Sequence, residues 1–533
     1  MTATTKLPTG RRARRSRLVS ALQAALAGIL AAAAVLGVAE LAGAFLAARA
    51  RPLIALGSTF IDFTPLWLKN FAVETFGTND KAVLFAGMAA AIALLAAAAG
   101  VLAWRRWLLG VAAVVVLGGV ILACVLTRAG AGALDVVPAA LGTAVGLAVL
   151  RGLIRRIPKP GIPEPGREPV AGSGPAGSSR RTFFLAAGLT AVAAAAAAAG
   201  GRAIAAGRSG TASFRSALRL PAASRPAPVL PAGLQSPVAG VTPWLTPNAD
   251  FYRIDTALSV PDVDAETWEL RIHGLVEEEL RISFADLLDS NLVERHLTLT
   301  CVSNPLGGNL AGTAKWLGLP VRGLLARARP TRDADMVLST SVDGFSASTP
   351  LEVLQDGRDA LLAIGMNDEP LPPEHGYPVR MVVPGLYGFV SATKWVVDLE
   401  VTRFDAQTAY WTDRGWAERA PVKTMARVEV PASFARVPAG PVDVGGTAWS
   451  QRRGITGVEI QIDDGDWRPA LLAAEASVDT WRQFSFRTPP LEPGNHTVRA
   501  RATDPRDGVQ TENRADTVPD GAAGWQSVRF IVE

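Results

Sequence analysis

The chain has 533 residues, a net charge of +5, 49% hydrophobic residues and only two cysteines. That length holds several domains, and two cysteines build no disulfide framework. The small basic excess sits in arginine clusters beside apolar segments, which gives no ground for a nucleic-acid partner and points to membrane topology instead.

The composition is split. Residues 1–200 are Ala/Leu/Val-rich with sparse charge, whereas residues 240–533 carry an ordinary soluble mix. Four apolar stretches, about 18–48, 82–103, 107–127 and 133–150, are predicted to span a membrane as helices within a domain covering 1–156. Residues 52–72 are apolar but broken by proline and charge, and read as an external loop with an interfacial helix. All four histidines (His273, His296, His375, His496) come after this region, so no bis-histidine haem fits between the helices. Cys124 reads as a small buried hydrophobe.

Arginine clusters set the expected orientation. Arg11, Arg12, Arg14, Arg15 and Arg17 precede the first helix. Arg105 and Arg106 separate the second and third, and Arg151, Arg155 and Arg156 follow the fourth. Under the positive-inside rule all three face the cytoplasm, together with a Pro/Gly-rich linker over 157–179. Ser179-Arg180-Arg181-Thr182-Phe183-Phe184 then resembles a twin-arginine export signal ahead of an Ala-rich run, expected as a signal-anchor helix over 180–200. An ordinary fifth helix with an arginine flank is the alternative. Small residues at Ala203-Ile204-Ala205 permit cleavage, and retention as an anchor is the reading adopted. The chain beyond that helix is then extracytoplasmic.

Residues 201–241 form a Pro/Ala-rich tether. From 242 to 406 short helical and strand-like runs mix, as in an α+β domain: a strand in TWELRIHGLV, a short helix in ISFADLLD with Ser283 as N-cap, and a strand HLTLTCVSN running into a loop at Cys301. Beyond residue 407 helical signals vanish. Alternating strands with Asp464-Gly465 and Pro493-Gly494 turns read as an immunoglobulin-like β-sandwich over 407–533.

Two segments carry chemistry. Cys301 lies in TCVSNPLGGNLAGTAKWLGLP, and HGYPVRMVVPGLYGFVSATKW comes later in the chain. Together they resemble the sulfite oxidase family of molybdopterin-dependent oxidoreductases, over roughly residues 242–533 and most specifically 298–395. The resemblance implies a molybdenum–molybdopterin cofactor, with Cys301 as metal ligand and catalytic residue; soft thiolate sulfur suits such a metal. It further implies cofactor contacts from Asn248, Tyr252, Arg253, Ser341, His375, Arg380, Ser391, Thr393 and Lys394. Arginine grips phosphate bidentately, and a lysine with backbone N–H groups cradles it. A homodimer through the sandwich is implied too.

Three departures bear on the substrate. The family pattern Cys-x-x-Asn-Arg-Arg has Pro305 and Leu306 at its arginine positions here. Phe345 replaces an active-site tyrosine, and Arg253-Ile254-Asp255 stands where the family has Arg-Asn-His. Fewer cations and an added carboxylate make sulfite a poor guest. The expectation is therefore a membrane-anchored oxidoreductase that transfers an oxygen atom to or from a small molecule other than sulfite. It would exchange electrons with a separate cytochrome or quinone-linked protein. A catalytically inactive membrane-tethered binding protein on the same fold is the alternative.

Overall fold

A computed structural model describes residues 9–46, 51–65, 68, 80–127, 132–157, 176–208, 211–257 and 259–533. Contacts divide the chain into two compact units, Met1–Ser209 with Ala257–Ser259, and Gly210–Thr256 with Val260–Glu533. Most of the expected linker 157–179 lies outside the described residues. So do the side chains of Arg11, Arg12, Arg14, Arg15, Ser179 and Arg180.

The first unit is helical: α1 (Thr9–Gly43), α2 (Pro52–Phe63), α3 (Asp80–Arg105), α4 (Trp107–Leu126), α5 (Val137–Ile154) and α6 (Ala176–Arg208). Five of its described segments are long and apolar enough to cross a membrane: Arg17–Gly43, Val83–Arg105, Trp107–Leu126, Ala133–Ile154 and Arg181–Ile204. The break between α3 and α4 falls at Arg106, whose extended backbone starts the next helix. Pro52 and Pro138 sit in the first turns of α2 and α5, where a missing N–H costs nothing. Two boundaries differ from expectation. The first helix ends at Gly43 rather than 48, because the chain turns at residues 44–46. The last runs on to Arg208 through Ala203–Ala205, its alanines sustaining the helix past residue 200.

Helix α1 packs on α3 through small residues. A Cβ on Gly28 would lie 1.9 Å from the Ala96 carbonyl oxygen, and one on Gly100 would lie 2.1 Å from that of Ala24. Only glycine allows this approach, the usual device where helices associate without a hydrophobic drive. Polar side chains bond within the unit: Thr143 and Thr190 to carbonyls four residues back, and buried Glu40 to Arg51 at 2.7 Å. Cys124 is buried beside Ala55 and Val125.

The second unit begins with α7 (Thr211–Ala217) and an extended segment bound along the surface, Ser224 N–H donating to Leu292 O and Arg215 to Leu371 O. Next in the chain come β1 (Glu269–Gly274), β2 (Leu280–Ser283), α8 (Phe284–Leu288), β3 (Val293–Thr300), β4 (Ala311–Pro320), α9 (Val321–Ala328), β5 (Met336–Ser341), β6 (Ser346–Pro350), α10 (Leu351–Gln355), β7 (Leu361–Met366), β8 (Glu369–Pro370), β9 (Arg380–Val382) and β10 (Val396–Thr402). Ser283 caps α8 by accepting from Asp286 N–H. One sheet runs β2-β1-β10-β5-β6, with β1 and β10 parallel, and the other runs β3-β4-β7-β8, with β9 added to β7.

From Met425 on, strands dominate: β11 (Met425–Val430), β12 (Arg436–Val437), β13 (Gly440–Trp449), β14 (Gly457–Ile462), β15 (Arg468–Pro469), β16 (Leu471–Leu472), β17 (Arg482–Leu491), β18 (Gly494–Asp504), β19 (Gly508–Val509) and β20 (Gln526–Val532). They form two sheets, β11-β13-β17-β16 and β12-β20-β18-β14-β15, with β19 on β18. Val444 and Phe484 from the first share one apolar core with Ile460, Val498 and Phe530 from the second. Inward-facing residues alternate along the strands, so each sheet buries one face.

This strand-rich region reaches back to β3. Trp481 N–H donates to Thr298 Oγ1 (2.8 Å), and Gln451 donates to Thr298 O and Thr300 Oγ1 (3.2 Å each). Buried Arg427, paired with Glu429, donates to Gly308 O at 2.9 Å. The end of β3 and the loop after it are therefore held from both sides.

Candidate active site

Cys301 is the first residue beyond β3. Its N–H donates to Leu310 O (2.9 Å), and Asn304 Oδ1 accepts from Leu310 N–H (2.9 Å), closing residues 301–310 into a tight loop between β3 and β4. Cys301 is 7% exposed and its side chain lines a cavity. Burial raises its pKa, while hydrogen bonds from Ser303 act the other way. A nearby cation or metal would be needed to hold it as thiolate.

A second approach to the cavity comes from 375–395. His375 ends a one-turn helix after Pro372-Pro373, and Gly376 follows at φ 113°. A Cβ on Gly376 would meet the Cβ atoms of Arg380 and Lys394 at 3.0 and 3.1 Å, so glycine here lets those two chains pack side by side. Arg380, at the start of β9, is 6% exposed. Its guanidinium donates only to backbone carbonyls, of Met381, His375 and Ala392, and lies 5.1 Å over the Trp316 ring. No carboxylate among the described residues pairs with it. Burial lowers its pKa to about 10, leaving it charged at neutral pH. A buried cation of this kind calls for an anion.

Lys394 donates to Asp255 Oδ2 (2.8 Å) and Glu374 O (3.0 Å). Burial pulls its pKa to about 8, with Asp255 opposing the shift. Asp255 also accepts from Arg253 at 2.8 Å. His375 Nε2–H donates to Asn248 O at 3.0 Å; burial, then Arg380, hold its pKa down to about 4, so the ring is neutral. The Tyr252 phenol is pushed above its ordinary range by burial, with Cys301 adding to the shift and Arg380 opposing it, so it remains a donor.

Of the ten expected residues, six line the cavity: Tyr252, Cys301, Ser341, His375, Arg380 and Lys394. The other four do not. The Asn248 amide bonds Met366 O and Asn367, supporting the carbonyl that holds His375. Arg253 faces outward onto Asp255. Ser391 donates to Tyr387 O and Thr393 bonds Ser339, both fully buried. Their hydroxyls are engaged by the protein itself. Ile254, Asp255 and Phe345 stand out in the sequence as departures, whereas Asp343, Phe389 and Trp411, also at the cavity, carry no local signal.

The donor set suits a cofactor that brings its own metal ligands. Among the described residues no group of three or more His, Cys, Asp or Glu side chains could hold a metal ion. One thiol at the cavity, a buried arginine without a carboxylate and an adjacent lysine match a metal bonded once by protein and an anionic organic group held by cations.

Residues 257–411 match the family described as oxidoreductase molybdopterin binding domain. The mitochondrial sulfite oxidase of Mus musculus is 26% identical over 51% of this chain and 58% of its own length. The NADPH nitrate reductase of Emericella nidulans is 32% identical over 32% of this chain and 22% of its own. The solved structure of the sulfane dehydrogenase SoxCD from Paracoccus pantotrophus aligns with a TM-score of 0.47 and 22% identity, over 55% of this chain and 85% of that one. The chain thus spans little more than half the length of the mammalian sulfite oxidases it matches.

Proposed function

We propose that this chain, which carries a molybdopterin-binding domain of the sulfite oxidase family, is a membrane-anchored molybdenum oxidoreductase. Cys301 is the protein's ligand to the metal, and Tyr252, Ser341, His375, Arg380 and Lys394 hold the pterin and its phosphate. Asn248 and Arg253 act one step back, by fixing His375 and Asp255. Ser391 and Thr393 shape the turn carrying Lys394. The bound group supplies two-electron exchange coupled to oxygen-atom transfer. In net terms, substrate and water give oxygenated substrate, two protons and two electrons, or the reverse, with a separate redox protein as electron partner.

The observation that carries this reading is buried Arg380 without a carboxylate, in the same cavity as Cys301. Tyr252 is a proton-bearing donor there, neutral His375 keeps its one N–H on Asn248 O and offers its other nitrogen as an acceptor, and Phe345, Phe389 and Trp411 limit water. The helical unit anchors the chain, and the arginines at 105–106 and 151–156 favour an extracytoplasmic domain. The strand-rich region from 407 is the surface for a homodimer, on an immunoglobulin-like plan.

The test is the molybdenum and pterin content of protein purified from its own membranes. About one metal and one pterin per chain are expected, with the metal lost in Cys301→Ser at unchanged melting temperature. Metal-free wild-type protein would replace this reading with that of an inactive binding protein on the same fold.

A further inference from the structure

The cavity differs between floor and rim. Cys301, His375, Arg380 and Lys394 on the floor are all at most 9% exposed. Toward solvent the lining changes to Ile254, half exposed, with half-buried Asp343, Phe345 and Trp411, and Phe389 just inside. The aromatic side continues as a wall: Phe345 to Tyr410 (5.8 Å between centroids), Tyr410 to Trp411 (5.1 Å), Trp411 to Trp416 (6.1 Å) and Trp416 to Phe389 (5.7 Å). Tyr410 already carries a cation on its ring, the Arg414 guanidinium at 3.7 Å.

The charges follow the same division. Arg253, outside the lining, and Lys394, on the floor, both bond Asp255, so neither presents an unpaired charge to the rim. Asp343 is the acidic side chain of the rim; it accepts from Phe345 N–H (3.2 Å) and Thr256 Oγ1 (3.5 Å), neither of which is charged. Aromatic faces beside a carboxylate attract organic cations and repel small, strongly hydrated anions.

We propose that the rim selects an organic substrate whose non-reacting body is apolar and cationic, and rejects small inorganic oxyanions. Asp343 and Trp411 are the specificity-determining residues. This rests on the reading of the floor as the cofactor site and adds the class of molecule that reaches it.

The test uses the full chain in detergent, with molybdenum and pterin assayed on the same sample, and reads binding rather than turnover. The probes are methyl phenyl sulfoxides carrying trimethylammonium, hydrogen or sulfonate at the para position, together with sulfite, titrated by calorimetry. The trimethylammonium compound is expected to bind about tenfold more tightly than the sulfonate, with sulfite weaker still. Asp343→Asn can keep the bond to Phe345 N–H but loses the charge, and should bring the charged pair within about threefold of each other. Trp411→Ala should weaken the trimethylammonium compound. Should the asparagine variant fail to fold, the wild-type preference must still shrink with added salt, as for a half-exposed carboxylate. Equal binding of the charged pair by metal-loaded protein overturns the inference and leaves the cofactor reading standing. Metal-free protein overturns the cofactor reading instead.

Discussion

In the helical unit Gly28 lies against Ala96 and Gly100 against Ala24, backbone to backbone, and few of the described side chains carry charge. In the strand-rich unit several buried contacts are polar: Arg380 beside Lys394, Thr298 beside Thr313, and Arg427 against Glu429. The first arrangement tolerates little change in volume but asks little of electrostatics. The second confines cations where water cannot solvate them and so creates a demand for anions. On the function proposed above, the first would anchor the chain and the second would hold its redox group.

Three perturbations would break or sharpen this contrast. The largest effect is expected from Arg380→Met. Pterin content should fall at least about tenfold, while the melting temperature of cofactor-free protein holds or rises, because a buried cation becomes an apolar side chain. Retention of pterin in that variant would remove the anion demand from the site. Next, Gly28→Leu should destabilise the helical unit by ~2 kcal/mol, through overpacking against Ala96. Unfolding in mixed micelles checks the loss, and pterin per chain should stay unchanged if the demands of the two units are separate. The smallest effect concerns pH. His375 titrates near 4 when folded and near 6.5 when unfolded. Between those values the unfolded chain takes up the proton first, so stability is full above pH 6.5 and declines as pH drops toward 4. About 1 kcal/mol should be gone by pH 5.5, and His375→Gln should flatten that slope. Denaturation midpoints that stay level from pH 7 to 5 would argue against a neutral buried imidazole.

The apolar runs and arginine flanks made the long helices legible, because hydropathy over twenty residues reports on solvent directly. Helix ends were less so: nothing local distinguishes Gly43 from a helix running to 48, and polyalanine carries α6 past the expected stop. In the site, Cys301, His375, Arg380 and Lys394 were readable as motifs because each lies within a short, distinctive segment. The rim was not. Asp343, Phe389 and Trp411 come from three separate segments, and only tertiary packing brings them to one cavity with the departures at Ile254 and Phe345. Ser391 and Thr393 show the converse. Their position in a phosphate-loop-like run suggested cofactor contacts; the Ser391 hydroxyl bonds Tyr387 O within its own turn, and that of Thr393 bonds Ser339 on β5.

The bond from Arg427 to Gly308 has a practical corollary for anyone trimming the chain. A fragment ending near residue 406 would retain every cavity-lining side chain except Trp411, yet lose the support that fixes the cysteine loop from outside. Its thiol would be present without being aimed. If Cys301 holds the metal as proposed, excising the minimal binding domain would yield a poor acceptor for it, and substitutions at Arg427, Gln451 or Trp481 would lower metal content without touching the cavity.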